Sequence, residues 1–322
     1  MTLFAWLSSI LVAVIVLTVT AFGLWWERKL AGRMQSRLGP TIVGPIGLFQ
    51  PIADLLKLVQ KEPIIPQRAD RALFWLAPPL TTLFALLVAA LVPFGPKLAP
   101  ANIDVGVPLI IALGGLALIP VWMAGWASHN KYALLGAMRA VAQSVSYGVP
   151  LVLTALVPVI LAGSMNLNSI VAWQHRHHWL VVWPVFLGLP AFILFILAML
   201  AEANRIPFDI PEAESELVAG VSTEYTGMHF GFIYLAEYVH TLVGSAVAST
   251  LFLGGWDGPF GPSVLWMVLK TCLLFSVLYW LRWSLVRLRA DQLMALAWKW
   301  LVPAGLALVL LAAVWTQTPW GR

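Results

Sequence analysis

Apolar residues form long uninterrupted runs along this chain, and short polar segments separate the runs. Each run contains about 20 residues, enough for an α-helix to cross roughly 30 Å of hydrocarbon. The runs fall near residues 3–26, 73–94, 105–127, 141–162, 179–201, 229–253, 263–283 and 293–315. This pattern predicts an all-α integral membrane protein with about eight transmembrane helices, forming a single transmembrane domain over residues 1–322.

Composition indicates the same class of protein. Hydrophobic residues make up 61% of the chain and charged residues 10%, and the mean hydropathy is +0.87, which lies outside the usual range for soluble domains. The first apolar run follows no basic residue and is too long for a signal-peptide core. We therefore interpret it as a retained membrane anchor.

The distribution of basic residues predicts an orientation. Fourteen of the 19 Lys and Arg residues fall in or beside the connections after runs one, three, five and seven. Positively charged connections stay on the cytoplasmic side, so segments near 27–72, 128–140, 202–228 and 284–292 are predicted to be cytoplasmic and both termini to face outward. This asymmetry accounts for the net charge of +5, which therefore gives no support to nucleic-acid binding.

One cytoplasmic connection has the pattern of an amphipathic helix. In GLFQPIADLLKLVQK the apolar residues follow a helical period, while Asp54 and Lys57 lie on the other face. The segment is too short and too polar to span a membrane, so we expect it to lie along the interface. The alternative is a helix that only closes the bundle.

A dense acidic segment follows the fifth run. EANRIPFDIPEAESELVAGVSTEY, residues 202–225, contains six of the fourteen carboxylates. Asp209 and Glu212 have capping-box spacing, which predicts a new helix after Pro211 with Glu212 and Glu216 on one face. Crowded carboxylates raise one another's pKa, so this acidic loop is a candidate for proton handling. The alternative is a solvated loop that docks on a basic partner.

Three ionisable residues fall inside apolar runs: Glu237, Lys270 and Lys299. Such groups cost several kcal/mol unless they face a polar interior or a partner, so together they suggest a buried polar path. Structural ion pairs between helices are the alternative. The cluster HRHH at 175–178 has no second group of ligands, and a single Cys272 excludes a multi-cysteine site, so we predict no bound metal.

Together these segments resemble one family, the NuoH subunit of bacterial proton-pumping NADH:quinone oxidoreductase (respiratory complex I) and its mitochondrial equivalent. The resemblance covers most of the chain in order, in the segments ERKLAGRMQSRLGP, GLFQPIADLLKLVQKEPIIP, GWASHNKYALLGAMRAVAQSVSY, AEANRIPFDIPEAESELVAGVSTEYTGMHF, LAEY, LFLGGWDGP, LKT and DQLMALAWKWLVP. The acidic segment and the first loop are the most specific of these.

The resemblance implies a membrane anchor for a peripheral redox arm, located in the cell inner membrane. The chain would form much of the floor and entrance of a quinone chamber and would couple quinone reduction to proton translocation. Its partners would be the peripheral quinone-site and iron–sulfur subunits, the neighbouring small membrane subunits, quinone and the lipid bilayer. It would bind no cofactor itself, because FMN and the iron–sulfur clusters would lie in partner subunits.

The resemblance also implies roles for individual residues, none of them catalytic within this chain alone. The quinone-chamber residues would be Glu27, Arg28, Arg33, Arg37, Asp54, Lys57 and Phe208. The proton or charge path would comprise Lys131, Arg139, Glu202, Asp209, Glu212, Glu214, Glu216, Glu224, Glu237 and Lys270.

The chain departs from the family's pattern at Gly148, where the family usually has an acidic residue after the Ser-Tyr pair. A proton step is then missing, a residue such as His129 or Tyr147 substitutes for it, or the coupling differs. Thr41 and Ala290 also differ from the family's pattern, and neither change removes chemistry.

Three other functions remain open at this stage. The homologous subunit of a membrane-bound hydrogenase or formate hydrogenlyase would share this scaffold, although the first loop and KEPIIP favour the quinone enzyme. An autonomous carrier would show inverted repeats, which the sequence lacks. A purely structural anchor would tolerate neutral replacement of Glu237 and Lys270. Hydride transfer by this chain is not expected, because it contains no GxGxxG or P-loop pattern.

Overall fold

The computed structural model describes residues 3–96, 98–212 and 214–319, and within these it leaves the side chains of residues 3–9, 214 and 215 undescribed. The described residues are helical or irregular, apart from one isolated β-bridge between Gly95 and Leu98. The predicted all-α class is confirmed.

Thirteen α-helices occur in the described part of the chain. In order they are α1 (Leu3–Met34), α2 (Gln50–Gln60), α3 (Arg71–Leu91), α4 (Gly106–Leu116), α5 (Leu118–Ala127), α6 (Lys131–Ala162), α7 (Leu167–His177), α8 (Val185–Glu202), α9 (Glu214–Leu217), α10 (Gly227–Phe252), α11 (Val264–Ser284), α12 (Ala290–Leu296) and α13 (Val302–Trp315). Short 3₁₀ turns occur at Pro45–Gly47 and Gly220–Ser222, and a π-helical segment, Ala297–Leu301, joins α12 to α13.

Among the described residues, eight helical segments are long and apolar enough to cross a membrane. They are Ile10–Met34, Arg71–Leu91, Gly106–Ala127, Lys131–Ala162, Val185–Glu202, Gly227–Phe252, Val264–Ser284 and Ala290–Trp315. The predicted number is confirmed. The fourth segment begins well before its apolar run because the Asn130 side chain accepts a hydrogen bond from the Tyr132 N–H at 2.8 Å and so caps α6 at its polar end.

The connections divide between two ends of the bundle. The charged end comprises residues 35–70, 128–130, 203–212 with 214–226, and 285–289. Hydrogen bonds join these connections to one another, for example from the Leu288 N–H to the Pro207 carbonyl. The opposite end comprises residues 92–96 with 98–105, 163–184 and 253–263.

The long helix α6 packs against α5, α8 and α13, and α10 packs against α3 and α11. Small residues allow close approaches. A Cβ added to Gly125 on α5 would lie 2.4 Å from the Ala137 Cβ on α6, and one added to Gly136 would lie 2.9 Å from the Gly220 Cα. Since apolar helices gain little from burial against one another in lipid, such close packing supplies much of their attraction. It also holds the acidic segment against α6.

Lys270 lies at the opposite end, on α11. Its ammonium donates hydrogen bonds to the carbonyls of Leu253 at 2.5 Å, Gly255 at 3.1 Å and Asp257 at 2.5 Å, and it lies 4.0 Å from the centroid of the Trp179 ring. The ammonium therefore replaces water as the donor for a buried connection, which accounts for a lysine inside an apolar run.

We expect Lys270→Met to lower the thermal unfolding midpoint of the full chain by several degrees. Each buried carbonyl left without a donor costs about 1–3 kcal/mol. Tryptophan fluorescence during heating in detergent measures the midpoint. Lys299→Met is the matched control, because Lys299 is exposed on the π-helical segment and its replacement should change the midpoint little. Equal midpoints for the two variants would show that the carbonyls need no ammonium.

Candidate functional site

Many of the charged residues singled out in the sequence meet at the charged end, between α1, α10, α11 and the connection that follows α8. Six residues form what we call the charge network: Glu27, Arg205, Glu212, Glu237, Tyr238 and Arg282. Four separate elements supply them, so the network exists only in the folded bundle.

Glu27, near the end of α1, has its carboxylate fully engaged. The residue is 4% exposed. Its Oε1 accepts a hydrogen bond from Arg282 Nη1 on α11 at 2.5 Å, and its Oε2 accepts one from the Tyr238 hydroxyl on α10. The Tyr238 oxygen accepts in turn from the Tyr234 hydroxyl at 2.9 Å. A buried carboxylate is tolerated when a cation and further donors surround it in this way.

Arg205 is also 4% exposed, although it follows α8 in a connection. Its Nη2 lies 3.3 Å from Glu237 Oε2, and its guanidinium carbon lies 4.2 Å from the centroid of the Tyr238 ring. The approach to Glu237 lacks hydrogen-bond geometry, and Arg205 Nε and Nη2 make no hydrogen bond within the described residues. The positive charge of Arg205 is therefore stabilised by the negative charge of Glu237 and by the face of the Tyr238 ring more than by hydrogen bonds.

Two further carboxyl groups of the acidic segment lie close to this arginine. Burial raises the pKa of the Glu212 carboxyl well above its usual value, and the charge of Glu237 and a hydrogen bond between the two carboxyls raise it further. Burial also raises the pKa of Asp209, to about 6, with Glu212 as the next cause, while nearby arginines act against the rise. Glu212 therefore keeps its proton to higher pH than an ordinary glutamate does.

A helix follows Pro211 as predicted, but Glu212 is not part of it. Glu212 lies in a turn, and the helix α9 covers only Glu214–Leu217. Glu212 and Glu216 do not share a helix face: Glu212 lies toward Glu237, whereas Glu216 is exposed and forms an ion pair with Arg139 on α6. Tertiary contacts with α10 and α6 determine the shape of this segment in place of the capping pattern.

Gln143 on α6 holds the turn that follows α8. Its Nε2 donates to the carbonyls of Ala201 at 2.6 Å and Phe208 at 2.7 Å, and it lies 3.2 Å from Asn204 Oδ1. Phe208 itself is buried, with its ring centroid 5.5 Å from that of Tyr147. The structure thus places Phe208 in the core beside α6, away from α2.

The other predicted residues at the charged end lie nearer the surface. Arg28 forms an ion pair with Asp54 of α2 at 2.6 Å, and the Asn130 amide donates to Glu224 Oε1 at 2.6 Å. A hydrogen bond from Arg139, and then its charge, keep the pKa of Glu216 below its usual value. The exposed residues among the predictions are Arg28, Arg33, Arg37, Lys57, Lys131 and Glu216.

A cavity extends from the charge network into the bundle, and we call it the first cavity. Glu202, Glu212 and Glu237 line it together with side chains of α3, α5 and α6. About 110 Å³ is open to the centres of water-sized molecules, several times the roughly 10–15 Å³ that one water needs. The structure therefore brings Glu202 to the same space as the network. Lys270 lies apart at the opposite end, and the side chain of Glu214 lies outside the described residues.

Sequence reasoning missed the roles of Arg205, Arg282, Tyr238 and Gln143. The two arginines were counted only toward orientation, although Arg205 lies inside the acidic segment and Arg282 lies at the end of an apolar run. Tyr238 directly follows Glu237 in the chain. A phenol next to a carboxylate inside an apolar run could have indicated that Tyr238 takes part in a buried polar cluster. Their partners lie as far as 255 residues away in the chain, beyond any local pattern.

Comparisons with known proteins agree on one family. The sequence model of a family described as NADH dehydrogenase matches residues 7–313. Among curated relatives, the H subunit of NADH-quinone oxidoreductase from Geobacillus kaustophilus strain HTA426 is 48% identical over 318 residues, 97% of this chain and 93% of its own. The protein of the same name from Dehalococcoides mccartyi strain CBDB1 is 46% identical over 305 residues, 94% and 84% of the two chains. That of Burkholderia ambifaria strain MC40-6 is 43% identical over 329 aligned positions, 99% and 93%.

The raised pKa of Asp209 should be visible by infrared spectroscopy. Below pH 6 the partly buried carboxyl should hold its proton and contribute to the C=O absorption of protonated acids, and above pH 6 that contribution should disappear. The difference spectrum between the full chain and Asp209→Asn in lipid nanodiscs isolates this band, with an expected midpoint near 6.

Glu216→Gln is the control for this titration, because the pKa of exposed Glu216 is lowered by Arg139 and its difference band should titrate at clearly lower pH. A band of Asp209 that has vanished by pH 4 would show that burial does not hold its proton.

Proposed function

The chain belongs to the family formed by the H subunits of NADH-quinone oxidoreductase, and from that premise we propose that it forms part of the quinone chamber and couples quinone reduction to proton translocation. It is an enzyme subunit and a multi-pass membrane protein. In this proposal the charged end is cytoplasmic, both termini face outward, and the membrane is the cell inner membrane.

The observation that supports coupling most strongly is the charge network with its adjoining cavity. Ionisable groups inside a membrane-spanning bundle are costly and mark ion or proton pathways by default. A chain serving only as an anchor could fill these positions with apolar residues at less cost. Here Glu27, Arg205 and Glu237 are retained together, and a carboxyl pair adjoins a cavity with room for several waters.

The mouth of the chamber is proposed beside α2. This helix packs against α1 and α10, and its apolar side chains Ile52, Leu55, Leu56 and Val59 are exposed in the isolated chain. The Arg28–Asp54 ion pair links α2 to the last turns of α1, and Arg28 directly follows buried Glu27. An apolar quinone tail arriving from the bilayer would meet the apolar face of α2 first and polar groups beyond it.

Reduction of a quinone to a quinol consumes two electrons and two protons, so it changes the charge balance of its surroundings. Of the carboxyl pair Glu212 and Glu237, Glu212 has a raised affinity for its proton, and Arg205 lies beside both. A change of charge in the chamber shifts that equilibrium, since every group in a low-dielectric site feels its neighbours strongly. The pair can then bind or release a proton through the first cavity.

The electron carriers belong to other subunits in this proposal. FMN and iron–sulfur clusters are placed in peripheral partners that dock on the charged end, where the 35–70 and 203–226 connections meet. Small membrane subunits would cover apolar helix faces of the bundle such as that of α1, where Ile10, Leu11 and Val14 are exposed. Exposed apolar area in a membrane protein otherwise faces lipid.

Glu212→Gln tests the coupling proposal in the intact complex reconstituted in liposomes. NADH-driven quinone reduction should fall by about tenfold or more, or should lose its stimulation by a protonophore, because the proton site at Glu212 is removed (a tenfold loss is about 1.4 kcal/mol). Glu216→Gln is the matched control, since that exposed carboxylate lies in the same segment, forms an ion pair with Arg139 and does not line the first cavity. Coupled turnover at the wild-type level in Glu212→Gln would leave a structural anchor as the better description.

A further inference from the structure

A second cavity continues from the first, deeper between α3, α4, α8 and α10. The two linings share four residues: Ala85, Gly114, Glu202 and His240. About 50 Å³ of the second cavity is open to the centres of water-sized molecules, again more than one water needs. The remaining residues of its lining are apolar or glycine, such as Val88, Leu151 and Phe195. Glu202 and His240 thus lie at the junction of a polar cavity and an apolar one.

His240 continues the face of α10 that contains Glu237. It follows Glu237 by three residues, so the two side chains lie one turn apart on the same side of the helix. His240 Nδ1 is buried and makes no hydrogen bond within the described part of the chain. A buried polar atom without a partner is destabilising, and a site at a cavity junction gives it access to water.

Glu202 ends α8 and reaches the same junction from the other side. A Cβ added to Gly114 on α4 would lie 3.0 Å from Glu202 Oε1, so the carboxylate occupies space that only a glycine leaves open. The other titratable groups facing the two cavities are Glu237 on α10 and Glu212 in the connection after α8. The helices α3, α4, α5 and α6 contribute hydroxyls and apolar groups to these linings but no ionisable side chain.

The helix α6 passes this junction with a gap at Gly148. Ser144 lines the first cavity and Leu151 lines the second, and Gly148 lies between them on the same helical stripe. A Cβ added to Gly148 would meet nothing within 4 Å. Tyr147 and His129, the two possible substitutes for an acidic residue at position 148, do not line either cavity. The Tyr147 hydroxyl donates to the Leu293 carbonyl, and His129 lies in the connection before α6.

We propose that His240 carries the proton across the junction of the two cavities, beside the open space that α6 leaves at Gly148. This inference rests on the proposed function. The Glu202 carboxyl gives its proton to one ring nitrogen of neutral His240 and becomes a carboxylate. The imidazolium then gives the proton on its other nitrogen to a water of the second cavity, so the ring returns to the neutral form as the other tautomer.

His240→Gln in the reconstituted complex tests the inference, since glutamine keeps hydrogen bonding but cannot take up a proton. Protons translocated per NADH oxidised, or coupled turnover itself, should fall by about tenfold or more. The double variant His240→Gln/Gly148→Glu should recover to within about threefold of wild type, because Gly148 lies on α6 between Ser144 of the first cavity and Leu151 of the second and has open space for a carboxyl side chain. A purely structural role of His240 would not be rescued by an acid on a different helix.

His229→Gln is the matched control, because His229 lies on the same helix and its ring meets the edge of Trp75 outside both cavities. If His240→Gln prevents assembly, His240→Asn, which is smaller than imidazole, takes its place. Wild-type pumping in the His240 variant, or a loss that Gly148→Glu does not repair, overturns the inference. Loss of coupling in Glu212→Gln together with intact pumping in His240→Gln would overturn this inference alone and leave the proposed function standing.

Discussion

The burial of charge in an apolar bundle is the constraint on which the arrangement of this chain depends. Lipid solvates apolar helices as well as a neighbouring helix does, so apolar burial alone specifies few contacts. An uncompensated charge at the same depth costs several kcal/mol. Glu27 therefore needs Arg282 and Tyr238, and Arg205 needs Glu237 and the ring of Tyr238. These interactions bring together α1, α10, α11 and the connection that follows α8.

The two ends of the bundle meet this constraint in different ways. Lys270 is held by three backbone carbonyls, which do not titrate, and the Asp257 carboxylate nearby forms an ion pair with His175. At the charged end the compensating groups are carboxyls, a guanidinium and a phenol, and burial together with Glu237 raises the pKa of Glu212. The carboxyl pair thus lies where the long connections meet, and the buried lysine is kept apart from it.

Sequence predicted the spans and the amphipathic helix well because their determinants are local. Hydrocarbon thickness sets the length of an apolar run, and a helical period in residues 48–61 indicates an amphipathic helix whatever its partners are. The pairings were not predictable, because Glu27 and Arg282 are 255 residues apart and local periodicity contains no information on which helices meet. The capping pattern at Asp209 and Glu212 was misleading for a related reason: contacts with Gln143 and Glu237 outweigh a local preference worth about 1 kcal/mol.

The connection after α8 is held at two points, by hydrogen bonds from Gln143 and by the charge of Glu237 on Arg205. The two points differ in how they depend on the charge of the acidic segment. Gln143 of α6 binds the carbonyls on both sides of the turn, so the backbone near Glu202 is anchored. Arg205, in contrast, approaches Glu237 at 3.3 Å without hydrogen-bond geometry, and its position depends on charge. A change of charge at Glu212 therefore alters the field around the Arg205 guanidinium. It removes none of the hydrogen bonds by which Gln143 holds the backbone of the turn, so the guanidinium depends on the charge of this segment more directly than the turn does.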